Sequence, residues 1–436
     1  MKPTLKKLLL CLCVLSLSQW AKAQQTQINS YRFGEGLNFV GKDDYKVELS
    51  GYVQPSFESK FYTDTNDANS YNRFRIRRLR IRLAGDMPKY KMTYRLQVDL
   101  SGNSEVGDQT GLYLLDAWIG FEPIKNVRLI FGQHAAPTDN RELTMSSHTL
   151  QLVERSRLTS SFASIREFGF FAQGSFKTGG GTYLKPYFSV TNGDGKNIYN
   201  ADYGGLKVGG RVDFLPFGLF TNFGQFRQVD IVRENTPKLV IGGTYSYTDG
   251  LSSRRGRESG AILYLNDSGA VSLPDFIKYG ADFLFKYKGW SVLGEFMGTA
   301  ATVPADITQR VRVDGTTSTT FDVDGVQDVE NYIKGRMMLG KGYNIQVGYL
   351  FKMGLSIDAR YTHIQSDEYS FLKNGTFYNR PDYYTLGLSK YFGRNYAFKV
   401  QGSFTYAKSD PGTNNIYGLP MDGDELIYRL GTTFSF

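Results

Sequence analysis

Apolar and polar residues alternate with a period of two along most of this chain. Between positions 90 and 100, the odd-numbered residues up to Asp99 are polar or charged and the even-numbered residues from Tyr90 to Leu100 are apolar. Successive side chains of a β-strand point to opposite faces, so the pattern predicts strands with one apolar and one polar face. Similar segments recur from Tyr45 to Phe436, and short turns alternate with longer loops between them. The chain is therefore predicted to be all-β.

Beyond the N-terminal residues, no apolar run approaches the roughly 20 residues of a membrane-spanning helix. Strands of a membrane barrel need only about ten alternating residues, and bacterial barrels have an even number of them, joined by short periplasmic turns and longer outer loops. Loop parity predicts a transmembrane antiparallel β-barrel over residues 45–436 with 16 strands and both termini in the periplasm. Eighteen strands is the alternative if Leu219–Glu234 forms a strand rather than an extended periplasmic connection.

The N-terminus has the form of a secretory signal peptide. A basic segment with Lys2, Lys6 and Lys7 precedes a short apolar run, and Ala21-Lys22-Ala23 is a typical cleavage site. We expect residues 1–23 to be removed and residues 24–44 to form a periplasmic lead-in. Both cysteines lie in the first segment, so the predicted mature chain needs no disulfide.

The last strand carries an outward aromatic series that ends on Phe436. Such an ending is typical of the signal that the outer-membrane insertion machinery recognises, and the alternative is the last strand of a soluble barrel. A soluble protein would gain nothing from turning Tyr and Phe outward. We therefore predict the outer membrane of a Gram-negative cell as the location, with lipid and lipopolysaccharide as partners.

One stretch, residues 73–83, holds six arginines in eleven positions. An arginine that faces lipid at the middle of a barrel wall costs about 2–4 kcal/mol, so Arg78, Arg80 and Arg82 are predicted to face the lumen. Arg75 and Arg77 have the opposite parity. Either a β-bulge near position 77 resets the register, which we favour, or these side chains stand above the hydrocarbon. Lys91, Arg95 and Arg128 are predicted to join them on the lumen wall.

Seven short segments carry a family likeness: residues 36–39, 51–54, 74–80, 94–99, 115–119, 131–133 and 153–156. They resemble the phosphate-selective porin O and P family in its Bacteroidetes branch, best over residues 34–220. The resemblance implies a 16-stranded trimeric channel whose third outer loop, here His134–Ser164, folds into the lumen and contributes Arg141, Arg155 and Arg157. The same loop holds Asp139, Glu142 and Glu154, which argues against strict phosphate selectivity.

The predicted function is passive diffusion of small hydrophilic solutes with a preference for anions, phosphate among them, because a lumen lined by guanidinium groups attracts anions and repels cations. The alternatives are a weakly selective general porin and a non-conducting barrel that serves as a structural or secretion component. The partners are small anions or other hydrophilic solutes and, by resemblance, two further copies of the chain.

Other chemistry has little support in the sequence. The three histidines are far apart, and no local motif suggests a nucleophile with its base, so we predict no enzymatic activity. Export and the barrel pattern argue against nucleic acid as a partner, and no cofactor is predicted. Asp322, Asp324 and Asp328 are weak calcium candidates, but their spacing does not match an EF-hand loop.

Overall fold

The computed structural model describes residues 27–63, 70–101, 113–195, 204–253, 263–312, 314–373, 380–409 and 423–436. The predicted signal peptide and its cleavage site lie outside these residues. The strands, in chain order, are β1 (Gln27–Arg32), β2 (Gly36–Val40), β3 (Lys46–Tyr62), β4 (Tyr71–Met87), β5 (Met92–Asp99), β6 (Tyr113–Ile124), β7 (Val127–Ala135), β8 (Arg166–Gly174), β9 (Phe176–Gly179), β10 (Thr182–Thr191), β11 (Lys207–Leu215), β12 (Lys238–Thr248), β13 (Tyr264–Asn266), β14 (Asp275–Tyr287), β15 (Trp290–Thr302), β16 (Ile307–Val311), β17 (Thr317–Ser318), β18 (Asp322–Val323), β19 (Val326–Gln327), β20 (Gly340–Leu350), β21 (Leu355–Ser366), β22 (Asp382–Tyr391), β23 (Phe398–Lys408) and β24 (Glu425–Ser435).

Sixteen of these strands form one closed antiparallel barrel, as the alternation of the sequence predicts. They are β3–β8, β10–β12, β14, β15 and β20–β24, and the pairing of β24 with β3 closes the ring. Short helices span Arg141–Thr144, Arg157–Phe162 and Val329–Lys334. Within the described residues, no helix is both long and apolar enough to cross a bilayer.

The apolar face of the strands points outward. On β24, Tyr428, Leu430 and Phe434 are each more than 40% exposed, whereas the neighbouring Ile427 and Thr433 are buried inside the ring. Phe74 on β4 is 84% exposed. Apolar side chains in this position fit a hydrocarbon environment and leave the polar parity for the interior.

The arginine strand β4 contains the predicted bulge. Its register with β3 shifts between Gln54 and Pro55: Gln54 pairs with Arg78, and Pro55 pairs with Ile76. Arg77 is therefore the extra residue, and it places the arginines before and after it on the same inner face. Pro55 has no N–H to donate to the ladder, so a bulge is a position where proline is tolerated in a wall strand.

Two connections enter the barrel from opposite ends. The third loop, residues 136–165, follows β7 at the end where the long loops lie. The connection 216–237, at the end with the short turns, contains the 3₁₀ turn Thr221–Phe226 and no strand. This agrees with the 16-strand prediction. Among the described residues, β1 and β2 lie at the turn end together with Phe436, because β2 pairs with the part of β3 that precedes its pairing with β24.

At the loop end, the connections 249–274 and 303–339 pack on each other. Leu251, Tyr264 and Leu273 of the first share a buried cluster with Phe321 and Ile333 of the second. A small sheet of β13, β16 and β17 joins the same two connections. The described parts of these two connections therefore share a hydrophobic core of their own.

Closure of the barrel depends on a close approach at Gly51. Its backbone exchanges hydrogen bonds of 2.9 Å with Phe436, and a Cβ at Gly51 would lie 2.6 Å from the Phe436 ring and 2.7 Å from the carbonyl oxygen of Arg80. We expect Gly51→Ala to lower the free energy of unfolding by about 1–3 kcal/mol, the usual cost of overpacking.

Urea unfolding of the refolded barrel measures this change. Gly402→Ala is the matched control, because a Cβ at Gly402 would meet no atom within 4 Å. Equal stability of the two variants would contradict the role assigned to Gly51.

Candidate functional site

The third loop lies inside the barrel and is almost completely buried. Asp139, Arg141 and Glu142 have 0% exposed surface, and so do Leu158 and Phe162 of the following helix. Buried charges are costly unless partners neutralise them. The fully buried Asp139, Arg141 and Glu142 must therefore find opposite charges on the wall.

Arg141 makes two of these buried ion pairs. Its guanidinium donates to Asp213 of β11 and to Asp282 of β14, each at 2.7 Å. Arg211 of β11 binds the same two carboxylates at 2.7–2.8 Å. Two arginines and two aspartates thus balance each other in the buried interior, and they fix the start of the loop to one side of the wall.

The three acidic residues of the loop are also paired. Asp139 binds Lys278 at 2.7 Å, and Glu142 binds Arg360 at 3.0 Å. Glu142 also accepts hydrogen bonds from the loop's own Ser156 and Thr159. Wall cations therefore neutralise Asp139 and Glu142 in buried ion pairs.

Glu154 ties the loop to the arginine strand. It accepts from Arg77 at 2.5 Å and from Arg78 at 3.0 Å. Two consecutive residues of a strand can reach one carboxylate only because the bulge places both on the inner face. Burial by itself would raise the pKa of the Glu154 carboxyl, but Arg77 and Arg78 hold that pKa well below its usual range.

The middle of the loop is fixed to the opposite wall through its backbone. Lys399 and Gln401 of β23 donate to the carbonyl oxygens of Leu150 and Gln151 at 2.5 and 2.6 Å. The Gln151 amide binds Asp358 of β21 at 3.0 Å. The loop therefore crosses the lumen from β11 and β14 to β21 and β23.

The connection 216–237 supports the loop from the turn end, and Gln228 is its main contact. The Gln228 side chain donates to Glu142 at 2.9 Å and accepts from the backbone N–H of Gln151 at 2.8 Å. Lys286 of β14 holds the same connection by donating to the carbonyl oxygens of Gly224 and Val229. The sequence did not predict that this connection enters the lumen.

A cavity of about 700 Å³ remains between the loop and the wall formed by β4–β8. Aromatic side chains from the wall and from the connection 216–237 contribute to its lining, among them Trp118, Phe171 and Phe226. Eight arginines and four carboxylates also line it. These are Arg77, Arg80, Arg82, Arg95, Arg128, Arg155, Arg166 and Arg227, with Glu35, Glu48, Asp99 and Asp116.

The arginines predicted on β4 lie on the inner face, and all of them have acidic partners. Arg75 pairs with Glu58 at 3.4 Å, Arg80 with Asp99 at 2.7 Å, and Arg82 with Glu48. Arg77 and Arg78 pair with Glu154, as described above. Much of the positive charge of this strand is therefore balanced locally.

Three other cavity arginines have no carboxylate partner among the described residues: Arg95, Arg128 and Arg227. Arg95 stands over the Trp118 ring at 5.3 Å, and Arg227 stands over the Tyr396 ring at 5.4 Å. Arg155 donates to the carbonyl oxygens of Glu142 and Met145. The charges of Arg95, Arg128 and Arg227 therefore remain directed at the cavity.

Some predicted site residues lie elsewhere. Lys91 occupies the exposed turn after β4 in a left-handed conformation (φ 52°) and donates to the carbonyl oxygen of Pro123, so its placement on the lumen wall is wrong. Arg141, in the third loop, is fully buried against the wall and does not line the cavity. Arg157 starts a helix, lies over the Tyr383 ring and does not line the cavity.

The calcium candidates are not brought together. Asp322 and Asp324 belong to the hairpin of β18 and β19, and Asp328 caps the helix Val329–Lys334 by accepting from the backbone N–H of Asn331. Across the described part of the chain, no three His, Cys, Asp or Glu side chains form a group suited to a metal ion.

Sequence reasoning missed several cavity residues. Arg166 begins β8 directly after the loop and pairs with Asp116 at 2.9 Å. His148 lies in the loop and lines the cavity; burial, together with nearby Lys399 and arginines, lowers its pKa to about 3, so it is neutral at pH 7. Trp118 was missed as well. Of the missed residues, only Trp118 had a signal in the sequence, because its parity on β6 places its side chain on the inner face of the barrel.

The sequence pattern of the phosphate-selective porin O and P family matches residues 47–325. The chain belongs to this family. It is an outer-membrane channel of the porin class, and the barrel with a loop folded into its lumen is consistent with that membership. A comparison with curated proteins found no match.

Solved structures with the same architecture include two outer-membrane proteins. The channel DcaP of Acinetobacter baumannii has 11% sequence identity and a TM-score of 0.50, with 91% of this chain and 99% of that chain covered. OmpF of Salmonella typhi, solved in complex with daunomycin, has 12% identity and a TM-score of 0.51, with the same coverage. At these identities the likeness concerns the fold alone.

The buried Arg141 provides a test of the loop's attachment. Arg141→Met keeps most of the side-chain volume but leaves Asp213 and Asp282 with Arg211 as their remaining partner. We expect a loss of about 3–5 kcal/mol in the free energy of unfolding, as is usual when one member of a buried ionic group is removed.

Urea unfolding of the refolded protein measures the loss. Arg394→Met, in the exposed turn after β22, is the control and should change stability by less than about 0.5 kcal/mol. A similar stability for both variants would show that the loop does not depend on Arg141.

Proposed function

We propose that this porin conducts small hydrophilic solutes passively and prefers anions to cations. The conducting path is the cavity between the third loop and the wall of β4–β8. The observation that carries the proposal is the imbalance of charge along this cavity, where Arg95, Arg128 and Arg227 have no carboxylate partner among the described residues.

The physical basis is electrostatic. A narrow path with low-dielectric walls focuses the field of its fixed charges, which raises the local concentration of counter-ions. Guanidinium groups also match the oxygen atoms of phosphate and carboxylate through paired hydrogen bonds. Several sites of moderate strength allow an anion to move from one to the next, and phosphate is one anion that fits this description.

A weakly selective porin is the second candidate function. The ion pairs of β4 favour it, because Arg80 and Arg82 of the cavity are matched by Asp99 and Glu48. A salt gradient across a planar bilayer distinguishes the two. A reversal potential whose sign indicates that anions are more permeant than cations supports the anion-preferring porin, and a reversal potential near zero supports the weakly selective porin.

The paired and unpaired arginines should differ in their effect on selectivity. In the double variant Arg95→Gln/Arg128→Gln, two uncompensated charges are lost. We expect the anion-to-cation permeability ratio to fall about three- to tenfold, from the Coulomb energy of charges close to the path after screening by salt.

The matched control is Arg80→Gln/Asp99→Asn, which also changes two residues but removes a neutral pair. Its permeability ratio should stay within about twofold of the unchanged protein. A larger shift for the control than for Arg95→Gln/Arg128→Gln would contradict the assignment of the field to the unpaired arginines.

Three further expectations belong to the same proposal: assembly as a homotrimer, export through a signal peptide ending at Ala23, and recognition of the terminal strand by the insertion machinery. The outward side chain of Phe436, 38% exposed at the turn end, supports the last of these. Removal of Phe436 should lower the amount of barrel in the outer membrane, measured by membrane fractionation.

A further inference from the structure

A group of polar side chains on β5, β6 and β7 has hydrogen-bonding atoms without partners. The hydroxyl of Thr93, Nε of Arg95, the indole N–H of Trp118 and Nδ1 of His134 are shielded from water and bind no acceptor or donor among the described residues. Buried polar atoms are nearly always satisfied in folded proteins, so a cluster of exceptions needs an explanation.

These side chains lie close to one another. The guanidinium of Arg95 stands 5.3 Å from the Trp118 ring, and the rings of Trp118 and His134 are 5.5 Å apart. A Cβ at Gly120 would lie 2.7 Å from the Thr93 hydroxyl, 3.3 Å from the Trp118 ring and 3.5 Å from Cδ of Arg128. The absence of a side chain at Gly120 leaves room for this group.

The charge of the group is not balanced within it. Arg95 and Arg128 have no carboxylate partner among the described residues, and the nearby Asp116 is paired with Arg166 at 2.9 Å. Trp118 is only 8% exposed, yet it contributes to the lining of the cavity with Arg95, Arg128 and His134. Unpartnered donors and two uncompensated cations at one place suit an oxyanion.

The surroundings of the group are apolar. Phe171 lies edge-on to His134 at 5.4 Å, and Ile130 and Trp118 pack with it in one buried cluster. A bare inorganic anion gains nothing from these rings and must give up water to approach them. An anion with a planar apolar body can place its oxygens on the arginines and its ring against Trp118 and Phe171.

We infer that this group is a binding subsite for an aromatic carboxylate. The inference rests on the proposed anion-conducting path and adds to it the chemical class of a preferred solute. Arg95 and Arg128 hold the carboxylate, and Trp118 and Phe171 contact the ring; all four residues line the cavity.

The test is the block of chloride current through single channels in a planar bilayer, with sodium benzoate, sodium acetate and sodium phosphate as separate probes. Benzoate should reach half-block at a concentration about tenfold lower than acetate, because its ring removes additional apolar surface from water. Phosphate should block no better than acetate.

Two variants locate the effect. Arg95→Gln and Trp118→Leu should each lower the ratio of acetate to benzoate half-block concentrations at least about threefold, since the first removes the charge that holds the carboxylate beside the rings and the second removes the aromatic ring that contacts the solute. Arg227→Gln is the matched control. It removes an equal charge from another part of the cavity, so it should lower anion preference and leave this ratio unchanged. Heat-modifiable migration in gels shows that each variant has folded.

Equal block by benzoate and acetate, or stronger block by phosphate, would overturn the inference. So would a ratio that falls as much in Arg227→Gln as in Arg95→Gln. The reversal potential is recorded on the same membranes. An anion-selective channel without preference for benzoate refutes the subsite alone, whereas a cation-selective channel refutes the proposed function.

Discussion

The ionic group of Arg141, Arg211, Asp213 and Asp282 is the interaction on which the rest of the lumen depends. All four side chains are withdrawn from water, so each charge has to be matched within the group. If the third loop left the lumen, Arg141 would leave two buried carboxylates with too few partners. The loop is thereby held across the interior, and the remaining space becomes a cavity along one side of the wall.

The same requirement divides the lumen cations into two kinds. Those that anchor the loop or pair along β4 have their charge cancelled at short range, and they act mainly on structure. Those without a carboxylate partner, such as Arg95 and Arg128, direct their field at the cavity. The stretch with the most arginines in the sequence is therefore not the part of the wall that supplies most of the uncompensated charge. The neighbouring strands β5 and β7 and the connection 216–237 supply more of it.

The sequence predicts the strands of the barrel wall well, because the alternation of apolar and polar residues indicates which side chains face lipid. The 16 strands and the bulge at Arg77 follow from parity together with the cost of placing arginine in hydrocarbon. The third loop stands out as a long segment without this period, and its inward fold was implied by the family resemblance. The interior is different. Arg141 and Asp282 are 141 residues apart, and Glu142 and Arg360 are 218 apart, and no local pattern indicates such partners. The inward path of the connection 216–237 escaped prediction for the same reason, and Lys91 was misplaced because a turn interrupts the parity of its strand.

The central claim is that ions pass through the arginine-lined cavity and not on the other side of the loop. The predicted mature chain has no cysteine, so a single introduced thiol reports on its own position. Gln173 lines the cavity, whereas Thr385 lies on the inner wall of β22, outside that lining. We compare the variants Gln173→Cys and Thr385→Cys. Single-channel current is recorded while an anionic methanethiosulfonate reagent is added. We expect a stepwise fall in current for Gln173→Cys and none for Thr385→Cys. Block at Thr385→Cys without block at Gln173→Cys would contradict it.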